Sequence, residues 1–136
     1  MARTFVLIGF LFVLSTGCEK PPYDLASVRG TVTIDGQLLK QGKVMFTPIA
    51  KQGELNSGKP AYGRIQPDGV FVLYTYGNDD GAIVGEHGVT VINTADPSTD
   101  PNAPKFGRVS PPRRYQVVAG QDNEIDIELT RLDVAR

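Results

Sequence analysis

The chain has 136 residues, with 14 Lys and Arg against 15 Asp and Glu and a formal net charge of −1. This length suits one ordinary domain, and a balanced charge scattered along the chain argues against nucleic acid as a partner. The single cysteine excludes an internal disulfide. Fifteen Gly, ten Pro, no Trp and abundant Val, Ile and Thr are typical of a β-protein with many turns.

The N-terminal end of the chain has the arrangement of a secretion signal. Arg3 precedes an apolar run over residues 5–14, after which small residues lead to Gly17 and Cys18. A membrane-spanning helix needs about 20 apolar residues, so this run is too short to cross a bilayer. We therefore predict a signal peptide over residues 1–17, with cleavage between Gly17 and Cys18.

The residues before Cys18 resemble the lipobox of bacterial lipoproteins, in which a small residue and then Gly or Ala precede an acylated cysteine. The resemblance implies that acyl chains such as palmitate are attached to Cys18 and hold the protein on a membrane. Ser15 occupies the position that Leu usually takes in this motif. The alternative is an ordinary cleaved signal peptide, or a mitochondrial presequence. The presequence is disfavoured because the segment has one Arg and is apolar all round.

The remainder of the chain is predicted to consist of a tether and one folded domain. Residues 18–26 are expected to form the lipidated cysteine and a short polar tether, and residues 27–134 the domain. Apolar and polar residues alternate over Val28–Ile34, which predicts a first strand, and an Asp-Gly pair then favours a tight turn. A second strand is expected over residues 43–49.

The middle of the domain contains two apolar runs separated by a strong turn signal. Residues 61–65 and 70–76 are predicted as a hairpin, because the Pro-Asp-Gly sequence between them favours a turn. In the second of these strands one face is expected to carry Phe71 and Leu73, and the other face Val72 and Tyr74. A further strand is expected over residues 85–93, after a turn at residues 77–81.

The C-terminal part begins with residues 94–112, which contain five prolines and are predicted as a long surface loop. Residues 113–118 and 124–132 are predicted as a closing hairpin. Its last strand alternates residues expected to face inward with carboxylates expected to face outward: Ile125, Ile127 and Leu129 with Glu124, Asp126 and Glu128. Seven short strands, with no long stretch of helical period, predict an all-β, seven-stranded antiparallel β-sandwich.

Four segments resemble a transthyretin-like sandwich of the carboxypeptidase regulatory type. Residues 28–39 contain a strand ending in Asp-Gly, residues 42–46 begin with a glycine, residues 66–73 contain Asp-Gly-Val-Phe, and residues 85–91 form the fourth segment. Their order after a signal that ends in cysteine is similar to small lipoproteins of planctomycete-type bacteria. The resemblance implies an Ig-like or prealbumin-like sandwich in a cell-envelope lipoprotein, and it carries no catalytic residues.

No arrangement of catalytic residues is recognisable, so the chain is predicted not to be an enzyme. His87 is the single histidine. It would act as a general base or a ligand only beside an oriented partner, so we favour a half-exposed strand residue. The five tyrosines are candidates for stacking on carbohydrate, but four lie in or beside predicted strands. Packing in the core or at its edge is therefore the favoured role of these rings.

Two acidic pairs in loops, Asp79 with Asp80 and Asp96 with Asp100, could supply oxygen ligands to calcium. Calcium needs about six or more oxygens, and neither spacing matches a defined calcium loop. Hydrogen bonds to turn amides are therefore the favoured role of these carboxylates. The sequence predicts no metal site and no cofactor.

The sequence as a whole predicts a non-enzymatic structural or interaction module, lipid-anchored through Cys18 in the cell envelope. An outer membrane or cell surface is expected, with the domain facing the periplasm or the exterior. Expected partners are that membrane and other envelope proteins or glycans. The alternative function is a sandwich that binds a small ligand, a glycan or calcium through residues 94–112 and 77–82.

Overall fold

A computed structural model describes residues 22–96 and 98–135, and it is an all-β sandwich, as predicted. Within these ranges there are twelve strands and one helix of four residues. The elements in chain order are β1 (Leu25–Ala26), β2 (Val28–Ile34), β3 (Gln37–Leu38), β4 (Gly42–Pro48), β5 (Ala61–Ile65), β6 (Val70–Val72), β7 (Ala82–Ile83), β8 (Gly85–Ile92), β9 (Arg108–Val109), β10 (Arg114–Val117), β11 (Asn123–Glu124), β12 (Ile127–Leu129) and α1 (Arg131–Val134).

The strands form two five-stranded sheets and one short two-stranded ladder. In the first sheet the order is β10-β8-β4-β5, with β9 also paired to β8, and all neighbours are antiparallel. The second sheet is built around β2, which pairs antiparallel with β3 and β6 and parallel with β11 and β12. The ladder joins β1 to β7.

The apolar faces of the two sheets share one core, because alternate residues of each strand point inward. The fully buried side chains of this core include Val28, Val32, Val44, Phe46, Phe71, Leu73, Val91, Val117 and Ile127. Phe46 contacts aromatic rings from three other parts of the chain. Its centroid lies 6.2 Å from that of Phe71, 5.8 Å from that of His87 and 6.2 Å from that of Tyr115. Tilted contacts of this kind stabilise a core beyond simple burial.

The break between β11 and β12 is filled by a side chain. Asp126 Oδ1 accepts hydrogen bonds from the backbone N–H of Thr31 at 3.0 Å and from its hydroxyl at 2.8 Å. At the same point the backbone carbonyl of Ile125 lies where a side chain on Gly30 would begin. A glycine is therefore required in β2, and Asp126 supplies a bond that the interrupted strand cannot make.

Two predictions about the sheets are wrong in detail. The predicted closing hairpin does not form, because β10 pairs with β8 in one sheet while β11 and β12 pair with β2 in the other. These last two pairings are parallel, so the sandwich is not antiparallel throughout. The predicted count of seven strands is not confirmed, since twelve strand segments occur in the described ranges.

The predicted turn between residues 65 and 70 is present. The N–H of Gly69 donates to the carbonyl of Gln66 at 2.8 Å, and Gly69 has a φ of +85°. However, β5 and β6 belong to different sheets, and one isolated bridge, between Tyr62 and Tyr74, joins β5 to the chain that follows β6. The hairpin is thus a corner that connects the two layers.

The predicted signal peptide and Cys18 lie outside the described residues. Within those residues, no helix is long and apolar enough to cross a membrane. At the end of the predicted tether, Leu25–Ala26 already pairs with β7, and the N–H of Val84 donates to the carbonyl of Asp24 at 2.9 Å. The folded part therefore includes residues just before position 27.

Candidate functional site

Three tyrosines are exposed where β5 meets the chain that follows β6. Tyr62 is 37% exposed, Tyr74 46% and Tyr76 43%, and Val72 beside them is 40% exposed. We call these four residues the tyrosine surface. The local sequence explains their orientation, because β5 buries alternate small or aliphatic residues and must therefore turn Tyr62 outward.

The backbone holds the first two tyrosines side by side. The N–H of Tyr62 donates to the carbonyl of Tyr74 at 2.9 Å, and the N–H of Tyr74 donates to the carbonyl of Tyr62 at 2.9 Å. The ring centroids lie 6.4 Å apart with an interplanar angle of 41°. A Cβ on the intervening Gly63 would lie 2.8 Å from the carbonyl oxygen of Val72. The absence of a side chain at this position therefore allows the two strands to approach.

The third ring of the tyrosine surface already has a partner. The Nζ of Lys59 lies 5.6 Å from the centroid of the Tyr76 ring. An ammonium group over an aromatic face is attracted by the negative charge of that face. Among the described residues, Tyr62 and Tyr74 are the two rings of this surface that contact each other and not a cation.

A polar groove with a volume of about 450 Å³ adjoins the tyrosine surface at Val72 and Tyr74. Its other lining residues are Arg64, Gln66, Asp68, Val70, Asn78 and Asp79. One oxygen of Asp68 accepts from the N–H of Val70 at 3.0 Å. Within residues 22–96 and 98–135, the side chains of Arg64, Gln66, Asn78 and Asp79 have no hydrogen-bond or ion-pair partner. The groove therefore presents donors and acceptors that are free to bind a ligand.

Both oxygens of the neighbouring carboxylate, Asp80, accept hydrogen bonds from the backbone of its own turn. Its two oxygens accept from the N–H groups of Thr75 at 2.7 Å, Tyr76 at 3.0 Å and Gly77 at 2.7 Å. Partial burial raises the pKa of Asp80, but these donors outweigh it and hold the pKa below its usual range. Of the predicted pair, Asp79 lines the polar groove and Asp80 holds the chain that carries Tyr76.

The other predicted acidic pair also makes local turn bonds. Asp96 Oδ1 accepts from the N–H of Ser98 at 2.8 Å, and Asp100 Oδ1 accepts from the N–H of Asn102 at 3.0 Å. Hydrogen bonds from the side chain and backbone of Ser98 lower the pKa of Asp96. Both carboxylates thus have the turn role that their sequence context favoured.

The long proline-containing loop forms one wall of a second groove, which we call the loop groove. Its volume is about 610 Å³, and its lining includes Leu38, Lys40, Asp100, Lys105, Arg131 and Val134. Across it, the Nε of Arg131 lies 2.8 Å from Asp35 Oδ2. This volume falls within the usual range for small-molecule sites, about 300 to 1,000 Å³.

The two loops predicted to form one ligand site line different grooves. Asn78 and Asp79 line the polar groove, whereas residues 100 and 102–105 line the loop groove, and the two grooves share no lining residue. In the part of the chain that the structure describes, no three His, Cys, Asp or Glu side chains are grouped so that they could hold a metal ion.

His87 is fully buried, so the expectation of a half-exposed strand residue is wrong. Its Nε2 lies 2.7 Å from the carbonyl oxygen of Ile83, and its Nδ1 has no hydrogen-bond partner among the described residues. Desolvation lowers the pKa of His87 and outweighs the opposing hydrogen bond to Ile83. A neutral imidazole packed beside Phe46 is the result.

The tyrosine surface is the feature that the sequence interpretation missed. Tyr62, Tyr74 and Tyr76 were expected to pack in the core or at its edge, yet all three are exposed. The signal was present in the alternation itself. Placing Phe71 and Leu73 on one face requires Val72 and Tyr74 on the other.

Comparisons with known proteins add little to this geometry. No protein-family model matches the chain, and no curated protein matches it. Among solved structures, the chain is similar to a Pseudomonas aeruginosa protein described as "a putative carbohydrate binding protein". The match has 11% sequence identity and a TM-score of 0.48, and it covers 78% of this chain and 89% of the other.

Proposed function

We propose that this protein is a cell-envelope lipoprotein, anchored at Cys18, whose β-sandwich is a non-enzymatic binding module. The observation that carries the binding role is the tyrosine surface beside the polar groove. Tyrosine combines a large apolar ring with a polar tip, and it is enriched where proteins meet their ligands. Neighbouring side chains with unused hydrogen-bonding groups suit the same role.

The core does not account for the exposure of these rings. It is filled by smaller aliphatic residues together with Phe46 and Phe71, which are fully buried. Tyr62 and Tyr74 lie on the side of the chain that faces away from the core, and their rings contact each other. A structural role would be served by less apolar residues, so a ligand is the better explanation for their presence.

The anchor is tested by replacing Cys18 with alanine in the full chain. We expect the variant to lose incorporation of a labelled fatty acid and either to leave the membrane fraction in folded form or to remain unprocessed. The physical reason is that two acyl chains hold a protein on a bilayer far more firmly than one. Normal processing with continued membrane association would contradict the lipid anchor.

The binding role is tested separately by photo-crosslinking in cells. A photoreactive phenylalanine derivative at Val72 should give discrete crosslinked products in the envelope fraction. The same group at Leu55, which is fully exposed and does not line either groove, is the matched control. Identical patterns from the two positions, or no product from Val72, would contradict a binding module at this surface.

A further inference from the structure

We propose that the tyrosine surface and polar groove bind a neutral glycan, with sugar rings stacked on Tyr62 and Tyr74. This inference rests on the proposed binding function and specifies the ligand class of the same site. It is carried by three observations: the fixed pair of exposed rings, the free polar side chains beside them, and the charge of the groove.

The rings are suited to stacking because they are positioned before any ligand arrives. Reciprocal backbone hydrogen bonds of 2.9 Å hold the backbones of Tyr62 and Tyr74 side by side, and their rings contact each other with centroids 6.4 Å apart. The C–H groups on one face of a sugar ring carry partial positive charge, and the face of an aromatic ring is negative. A pair of rings at fixed spacing can therefore contact sugar units without a large cost in side-chain ordering.

The polar groove supplies groups suited to sugar hydroxyls. Arg64, Gln66 and Asn78 carry planar groups with paired N–H donors, and Asp79 carries two acceptor oxygens. All four line the groove and have no partner within the described ranges. Hydroxyls both donate and accept, so a mixed set of donors and acceptors fits them better than it fits a purely acceptor ligand.

The charge of the groove favours a neutral ligand over a nucleic acid or an anionic lipid. Nucleic acid also stacks on aromatic rings, but its binding sites combine those rings with a positively charged groove. Here the lining includes one guanidinium, that of Arg64, and two carboxylates, those of Asp68 and Asp79. Such a groove does not attract phosphate groups.

Affinity electrophoresis of the full chain, purified in a detergent without a sugar headgroup, tests this inference. The gels contain a neutral polysaccharide, either hydroxyethyl cellulose or glucomannan, and a parallel gel contains anionic polygalacturonate. We expect retardation by at least one neutral polymer and none by the anionic one. Tyr62→Ala and Tyr74→Ala should each weaken binding by about five- to tenfold, as expected for the loss of one aromatic stacking contact.

Three further variants locate the site. Tyr62→Phe and Tyr74→Phe keep the ring and should retain binding, whereas Arg64→Ala should weaken it without removing a ring. Leu38→Ala alters an apolar residue of the loop groove with similar exposure and should bind as the unaltered chain does. Thermal melts identify any variant that has lost its fold. If a tyrosine variant unfolds, the Arg64→Ala variant still tests whether the groove binds the glycan.

Three outcomes overturn the inference, and the first two leave the broader binding role intact. The first is absence of binding to both neutral polymers when crosslinking from Val72 still gives discrete products. The second is binding that Leu38→Ala abolishes and the tyrosine variants preserve. Flotation of the Cys18→Ala chain with phosphatidylglycerol-containing vesicles, if it depends on Tyr62 and Tyr74, would identify the surface as a membrane contact and would also overturn it.

Discussion

The tyrosine surface and the loop groove differ in how their side chains are held. Tyr62 and Tyr74 are joined by backbone hydrogen bonds between β5 of one sheet and the chain that follows β6 of the other. In the loop that forms one wall of the loop groove, the outer part is held by bonds between residues close in sequence, such as those of Asp96 with Ser98 and Asp100 with Asn102. The first surface is therefore set by the tertiary fold, and the outer part of the loop by local turn chemistry.

This difference bears on which surface is pre-organised for a ligand. Side chains on paired strands keep their spacing when no ligand is present, which lowers the entropic cost of binding. The outer part of the long loop, at residues 98–102, is stabilised by its own turns, so it can shift while the end of the loop stays paired with β8. Variants that destabilise one region and leave the other unchanged test this difference.

The largest effect is expected at β12, which leads into the C-terminal wall of the loop groove. Ile127 is fully buried, so Ile127→Ala should cost about 2 to 5 kcal/mol of unfolding free energy through lost burial and a cavity. Asp126→Ala, on the opposite face, should cost about 1 kcal/mol because two hydrogen bonds from Thr31 are lost.

Denaturant unfolding of the two purified variants measures this contrast. A larger loss for Asp126→Ala than for Ile127→Ala would contradict the burial of β12. The effect at Asp126 also modifies the sequence interpretation, which treated the carboxylates of this strand as a solvated face. Asp126 is exposed, but it fills the break between β11 and β12 by accepting a hydrogen bond from Thr31 of β2.

The second largest effect is expected at Gly63 of β5, next to the tyrosine surface. In Gly63→Ala the new Cβ would lie 2.8 Å from the carbonyl oxygen of Val72 and 3.0 Å from Leu73 Cδ2, so the strands must separate. We expect a loss of about 1 to 3 kcal/mol, as for other overpacked sites. Gly107→Ala, near the base of the long loop, meets nothing within 4 Å and should change stability by less than about 0.5 kcal/mol.

Amide hydrogen exchange sharpens this result. Loosening of the corner should increase exchange at the N–H groups of Tyr62 and Tyr74 in Gly63→Ala and leave them unchanged in Gly107→Ala. Unaltered protection at both tyrosines in Gly63→Ala would mean that the close approach of β5 and β6 is not what holds the rings.

Much of the fold was predictable because strands with one buried face carry a period of two. The limits of β2 and β5 and the opposite faces of Phe71 and Val72 follow from that alternation alone. Pairing was not predictable in the same way. Nothing local in residues 113–132 indicates that β10 joins one sheet while β12 runs parallel to β2 in the other, since this depends on contacts between distant parts of the chain.

In the candidate site, too, local features could be predicted from the sequence, whereas contacts between distant residues could not. The turn roles of Asp80, Asp96 and Asp100 follow from short-range chemistry, and the sequence favoured them correctly. The meeting of Tyr62 and Tyr74 requires the bridge between two sheets, which no local pattern contains. The burial of His87 was missed although the alternation contained it, because His87 shares a strand face with Val89 and Val91.

The third prediction tests whether the turn below Tyr76 depends on one carboxylate. Asp80→Ala leaves three N–H groups without their acceptor and should cost about 1 kcal/mol, moderated by solvent at this partly exposed site. Asp79→Asn, which keeps the shape of a residue with φ of +53°, should cost less than about 0.5 kcal/mol.

The pH dependence of Asp80 provides a second measurement. Because its pKa is lower in the folded than in the unfolded protein, its contribution to stability is complete above the unfolded value. It is lost as the pH falls below about 4 towards the folded value. The stability difference between the unaltered chain and Asp80→Ala should therefore shrink in acid. A difference that stays constant from pH 7 to pH 3 would contradict the role of the ionised carboxylate.

The smallest effect is expected at the ion pair across the loop groove. Arg131 and Asp35 are 2.8 Å apart, but their side chains are 89% and 40% exposed. Exposed pairs contribute little because water screens the charges and both side chains lose freedom, so Arg131→Ala should cost less than about 0.5 kcal/mol. Added salt should reduce even this difference. A loss as large as that of Gly63→Ala would mean that the loop groove is braced as firmly as the tyrosine surface, and the contrast between strand-held and loop-held regions would then fail.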